Sequence, residues 1–264
     1  MVFFYPNSAK GAFESEILSP LQNAAGGAPF SMNYSPLSIV SDPTGLAKAP
    51  SLFYAGSLHQ KFGLKSLKES LFIVGGNFRG VGLGLGLSKF GNSNYQELLV
   101  SAMGAKQVKD ALQLSFSFNI YQLNIENYGQ ALAFGSQLTL RYILNNLLES
   151  RFSVLNANRP TIGESKEKLP QIITAGLFIK PSERIFAQVS LVQDTEYPVS
   201  IRFGIIFKMM DQLGFAIGKI NQPNVITTGG YINWKNFQIE LGCLSYVDLG
   251  LITYQTGISF TRNP

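Results

Sequence analysis

Residues 112–121 read LQLSFSFNIY. Leu112, Leu114, Phe116, Phe118 and Ile120 share one parity, and Gln113, Ser115, Ser117, Asn119 and Tyr121 share the other. A period of two sends alternate side chains to opposite faces of a β-strand. An amphipathic helix would instead repeat its apolar residues every three or four positions. The pattern recurs at Val199, Ile201, Phe203, Ile205 and Phe207, which alternate with Ser200, Arg202, Gly204 and Ile206. Ala187, Val189 and Leu191 flank Gln188 and Ser190, and Phe237, Ile239, Leu241 and Cys243 flank Gln238, Glu240 and Gly242.

Working outward from these runs, the texture persists from Ser51 to the end of the chain. It predicts strands near 51–60, 68–78, 81–90, 95–106, 111–124, 131–144, 149–156, 170–180, 184–194, 198–208, 211–220, 224–234, 236–246 and 250–260. Most have the roughly ten residues that a tilted strand needs to cross a bilayer. Strands of soluble domains are typically about five or six residues long, and this argues against the alternative of a soluble β-sandwich. Tight turns at Arg79-Gly80, Asn145-Asn146, Pro181-Ser182, Met210-Asp211 and Lys235-Asn236 alternate with longer links, the longest spanning 157–169. Short turns on one side and longer loops on the other are the habit of outer-membrane barrels. The expectation is an all-β, antiparallel, up-and-down transmembrane β-barrel of about fourteen strands over 51–264. An even strand number puts both termini on the short-turn, periplasmic side of a bacterial outer membrane.

Composition agrees. Of 264 residues 45% are apolar and only 14% charged, against about 25% charged in ordinary soluble domains. No apolar run approaches the ~18 residues of a spanning helix. The net charge of +5 is spread over turns and forms no basic stripe with interleaved aromatics, so no nucleic-acid partner is expected. One cysteine, Cys243, excludes an internal disulfide, and one histidine, His59, gives no metal site. No cofactor is expected. Residues 1–6, MVFFYP, have neither the charge nor the length of an export signal, so the expectation is either numbering that begins after a removed signal or another route of export.

Residues 1–50 stand apart. Pro6, Pro20, Pro29, Pro36, Pro43 and Pro50 mark an irregular segment, with a short helix expected near Glu14–Leu18. The run Gly80-Val-Gly-Leu-Gly-Leu-Gly86 superficially resembles a dinucleotide-binding motif, but that motif opens a helix. Here Val81, Leu83 and Leu85 alternate with Gly82, Gly84 and Gly86, so the segment is itself a strand. Glycines on one strand face mark close approach by another backbone or relief of crowding in a curved wall. The first reading makes the N-terminal segment a plug packed against Gly82, Gly84 and Gly86.

Parity assigns the faces. Gly82, Gly84, Gly86, Glu97, Ser115, Ser117, Asn119, Gln137, Arg141, Gln188, Arg202 and Glu240 are expected to face the lumen. Phe116, Phe118, Val189, Ile201, Phe203, Ile205, Ile239 and Leu241 are expected to face outer-membrane lipid. Glu97 and Glu240 with nearby bases could form an acid–base site, but no nucleophile–base spacing accompanies them. They read better as charges of a polar lumen, and no catalytic residue is assigned. Tyr231, Trp234, Tyr246 and Tyr254, near strand ends, suit interfacial girdles.

The chain also resembles the outer-membrane barrels related to the fatty-acid transporter FadL, in particular the PorV/PorQ-like branch of Bacteroidota. The resemblance rests on Ser41-Asp-Pro-Thr-Gly-Leu-Ala47, on Gly82-Leu-Gly-Leu-Gly-Leu-Ser-Lys-Phe-Gly91, on Lys168-Leu-Pro170 with the following strand, and on the final hairpin from Phe237 to Phe260. It implies fourteen strands and two possible functions. One is an accessory subunit of an outer-membrane protein secretion or assembly machine, bound to other outer-membrane or periplasmic proteins. The alternative is a passive channel for hydrophobic small molecules. The polar lumen-facing rows and the small breaks Ser136 and Thr256 on the lipid face favour the accessory subunit.

Overall fold

The computed structural model describes residues 11–13, 18–28, 35–195 and 197–262. The expected helix near Glu14–Leu18 falls mostly on residues outside these. The short helix that is described, α1, lies at Pro20–Ala24, and two 3₁₀ turns follow at Pro36–Val40 and Pro43–Lys48.

The wall begins with β1 (Leu52–Gln60), β2 (Lys68–Phe78), β3 (Val81–Gly91), β4 (Tyr95–Lys109), β5 (Leu112–Ile125), β6 (Gly129–Ile143) and β7 (Leu148–Leu155). A two-residue hairpin interrupts it, β8 (Thr161–Ile162) with β9 (Glu167–Lys168). The wall resumes with β10 (Ile172–Ser182), β11 (Ile185–Asp194), β12 (Ser200–Lys208), β13 (Leu213–Ile220), β14 (Val225–Trp234), β15 (Phe237–Tyr246) and β16 (Leu251–Arg262). Each wall strand pairs antiparallel with its neighbours, and β16 pairs back to β1 from Leu52↔Arg262 to Gln60↔Tyr254. Fourteen strands thus close a transmembrane up-and-down barrel. Closure satisfies the backbone without an edge, which is the condition for crossing lipid with strands. No described helix is long and apolar enough to cross a membrane.

The faces separate by parity. Phe116, Phe118, Val189, Ile201, Phe203, Ile205, Ile239 and Leu241 are all exposed on the outside. Ser115, Ser117, Asn119, Gln137, Arg141, Gln188 and Glu240 are all buried inside. Gly82, Gly84 and Gly86 are buried too, and Arg202 is half-buried.

Three expectations need correcting. The turn expected at Pro181-Ser182 falls at Glu183 and Arg184, because a bulge between Ile179 and Ser182 lets Pro181 stay in β10. Tyr231 is not a girdle residue: it points inward, its ring lying over Gly214, where any Cβ would collide with it. Tyr246 is half-buried and meets Phe62 edge-on at 4.9 Å. Trp234 and Tyr254 do lie outside, the former stacked on Phe237 at 6.5 Å.

The rim is uneven. β4 and β6 have 15 residues, whereas β7 has 8. At about 3.4 Å per residue the difference is more than 20 Å of strand. The ladder between β6 and β7 ends at Gln137↔Leu155, so Gly129–Ser136 has no strand on that side. The chain leaving β7 covers part of it. Ala157 N–H donates to the Ser136 carbonyl at 3.0 Å, and Asn158 accepts from Ser136 N–H at 3.0 Å and donates to the Phe134 carbonyl at 2.8 Å. The Ser136 hydroxyl also meets Asn158, at 3.1 Å, so Ser136 is occupied within the chain.

Replacing Phe203 with Arg is expected to destabilise the folded barrel by about 2–4 kcal/mol near mid-membrane, while Phe203→Leu leaves it almost unchanged. Urea titration of folding into lipid vesicles measures both. Equal stabilities would contradict a lipid-facing Phe203.

Candidate functional site

The N-terminal segment meets the inner wall along two stretches. Residues 18–28 pack against β11–β16, and residues 35–49 pack against β1–β6. The first stretch is a single helical turn. Ser19 accepts from the Gln22 N–H at 3.1 Å while the Gln22 side chain accepts from the Ser19 N–H at 2.8 Å, a capping box. A helix this short has no stability of its own, so the wall must hold it. Glu240 accepts from Leu21 N–H at 3.1 Å, and Asn23 donates to Gln255 at 2.9 Å. Thr227 donates to the Ala24 carbonyl at 2.8 Å and accepts from Gly26 N–H at 3.0 Å. Gln188 donates to the Ala25 carbonyl at 2.5 Å, and Arg202 to the Gly27 carbonyl at 2.8 Å. The inward polar row is therefore a set of partners for backbone groups that have lost water. Gly204 and Gly218 let that backbone in, since a Cβ on either would overlap Ala25 or Gly26.

The second stretch sits on the glycine strand. A Cβ on Gly82 would overlap the Leu46 carbonyl, Gly84 faces the Leu46 side chain, and Gly86 faces Val40. Asn77 donates to the Ala47 carbonyl at 2.8 Å, and Gln137 donates to the Ser41 carbonyl at 2.8 Å.

An ion network fastens this stretch. Asp42 caps the second 3₁₀ turn through Thr44 and forms a buried ion pair with Arg151. Arg141 and Arg151 are direct cross-strand neighbours, an arrangement that needs anions between them. Glu149 supplies one, at 2.5 Å from Arg141, 3.5 Å from Arg151 and 2.6 Å from Lys180. Asp42 supplies the other. Of this network the sequence reading singled out only Arg141. Glu149 and Arg151 share a parity in the run 148–155, and that was the available signal.

Beyond the N-terminal segment, on the longer-loop side, the lumen keeps a cavity of about 80 Å³. Phe90, Leu99, Tyr121, Leu155 and Ile172 of the wall line it, with Val40 from the N-terminal segment. Phe13 and Leu18 also line it, and Phe13 meets Tyr121 edge-on at 4.9 Å. The polar rows expected inside are there, and beside them the cavity adds an apolar patch that comes from the loop ends of the strands and from the N-terminal segment. Polar groups of the same surface include Glu69, Ser88, Glu97 and Asn119. Glu97 and Glu240, taken as a possible acid–base pair, are not brought together, because Glu240 is engaged under α1. Among the described residues, no group of three or more His, Cys, Asp or Glu side chains could hold a metal ion.

Comparison with known proteins bears on the fold. No protein family profile matches the sequence, and no curated protein matches it. Solved structures do. The CymD monoaromatic hydrocarbon channel superposes with a TM-score of 0.72 over 94% of this chain and 98% of that one, at 9% identity. The Ralstonia pickettii toluene transporter TbuX gives 0.66 over 94% and 98%, at 11% identity. A Pseudomonas aeruginosa FadL homologue gives 0.64 over 93% and 98%, at 8% identity. The likeness is one of fold. It lies with FadL-type barrels and gives no support to the narrower PorV/PorQ-like resemblance.

Removing one partner of a buried ion pair typically costs about 3–5 kcal/mol. Asp42→Ala is expected to loosen the 35–49 stretch by that amount and to raise ion conductance in planar bilayers. Asp42→Ala combined with Arg151→Met should recover much of the stability. An Asp42→Ala barrel as stable and as closed as the parent would show that the pair does not fasten the plug.

Proposed function

We propose that the protein is a bacterial outer-membrane channel that admits small hydrophobic compounds. The observation that carries this reading is the mainly apolar cavity held between the plug and the loop-side end of the lumen. Ligand sites are typically concave and mostly apolar, with a few placed polar groups. The fold shared with a monoaromatic hydrocarbon channel and a toluene transporter supports the same reading. The plug suits it as well, since an open fourteen-stranded lumen would leak solutes unselectively.

The accessory-subunit reading loses its main argument. It rested on a lumen too polar for hydrophobic cargo, and the lining contains Phe90, Leu99, Leu155 and Ile172. It also rested on Ser136 as an outward contact point, and Ser136 is bonded to Asn158. The rims support an orientation. β1 begins and β16 ends at the tight-turn rim, which is periplasmic in barrels of this type. On this reading the cavity lies on the exterior side of the N-terminal segment.

Whole cells whose outer membrane carries the protein are expected to take up labelled toluene several-fold faster than cells with an empty vector. Uptake at the control rate, together with recovery of the barrel in a stoichiometric complex from mild detergent, would replace the channel with the accessory subunit.

A further inference from the structure

Most lumenal charges are already used. Asp42, Arg141, Glu149, Arg151 and Lys180 form the plug fastening, and Glu240 holds α1. Glu69, on the cavity wall, lies 3.1 Å from Lys61 and 3.8 Å from His59. Glu97 is different. Its Oε1 accepts from the Tyr95 hydroxyl at 2.6 Å and from Phe13 N–H at 3.0 Å. Neither of these donors reaches its Oε2, and Lys61, which attracts Glu97, makes its close ion pair with Glu69 instead. Glu97 is only 9% exposed, and it lines the cavity. Two registers deeper, Asn119 is 2% exposed and also lines the cavity. Its amide donates to Tyr121 at 3.5 Å, and its Oδ1 takes no donor from the described residues.

The cavity wall therefore carries two acceptor-bearing side chains, Glu97 and Asn119, among Leu99, Tyr121, Leu155 and Ile172. A pure hydrocarbon would cover these acceptors without satisfying them, and that is costly for a buried polar group. A carboxylate ligand would meet the negative Glu97. A cationic amine would meet Lys61, whose ammonium lies 4.6 Å from the centre of the Phe90 ring, between Glu69 and Glu97 in the register. A neutral hydroxyl meets neither objection. Size sets the other limit. A cavity of about 80 Å³ is smaller than the ~150 Å³ in which a dry protein cavity takes up benzene. One ring enters if the Phe13 and Leu18 side chains give way, and a long acyl chain does not fit.

Building on the channel reading, we propose that the preferred ligands are single-ring aromatics bearing a hydroxyl group, with Glu97 Oε2 accepting the phenolic hydrogen. The ring lies against Leu99, Tyr121, Leu155 and Ile172, and the hydroxyl points toward β4.

Fluorine NMR of 4-fluorophenol and fluorobenzene, with the full chain in lipid nanodiscs and empty nanodiscs as reference, separates the contributions. The parent protein is expected to bind 4-fluorophenol about tenfold more tightly than fluorobenzene. Glu97→Leu should remove that preference while fluorobenzene binding persists, and Glu97→Gln, which keeps an acceptor, should retain part of it. Tyr95→Phe removes a competing donor from Glu97 Oε1. It should tighten 4-fluorophenol only, and it serves even if Glu97→Leu fails to fold. Fluorobenzene bound as tightly as 4-fluorophenol, or Tyr95→Phe without effect on either, would overturn the hydroxyl preference and leave the channel reading standing. Binding of neither compound would overturn both.

Discussion

A closed sheet of fourteen strands encloses more space than its own inward side chains fill. Barrels of about eight strands pack solid, and those of sixteen to eighteen leave an aqueous channel. In this chain the space is taken by a segment with little secondary structure, whose backbone groups are cut off from water. Each such group needs a partner, and the wall provides them one at a time: Glu240 to Leu21, Thr227 to Ala24 and Gly26, Gln188 to Ala25, Arg202 to Gly27. The polar parity of the strands, their glycines and the buried ion network all answer that one requirement.

Much of this was legible in the chain. Period-two alternation located the wall strands, because lipid outside and a packed lumen inside impose opposite demands on successive residues. The glycine run of β3 pointed to a close backbone neighbour, and Leu46 lies on Gly82. Tyr231 was misplaced because proximity to a turn was weighed above parity. Pro181 was misplaced because proline is the commonest turn signal, while a bulge can also hold it.

The cavity was not legible, for a physical reason. Its apolar lining comes from scattered strand ends, and positions such as Leu99 sit inside the unbroken run Leu98-Leu99-Val100, where inward and outward residues are equally apolar. The segment that completes the lining is far away in sequence, and Phe13 reaches Tyr121 only through tertiary folding. The ion network was hidden in the same way, since the six strands β1 to β6 lie between Asp42 and Arg151. A polar-looking lumen and a partly apolar cavity can therefore coexist: the polar rows hold the N-terminal segment, and the cavity lies beyond it.

The seal on β6 has a consequence for how the chain avoids sticking to its copies. A strand that rises past its neighbour presents free N–H and C=O groups, and such edges recruit other strands into aggregates. Gly129–Ser136 is a stretch of this kind. Asn158 closes its lower part by bonding the Phe134 carbonyl and Ser136 N–H with one side chain, in the way a paired residue would. A side-chain amide thus stands in for a missing strand over that part of the edge and removes it as a template for other strands.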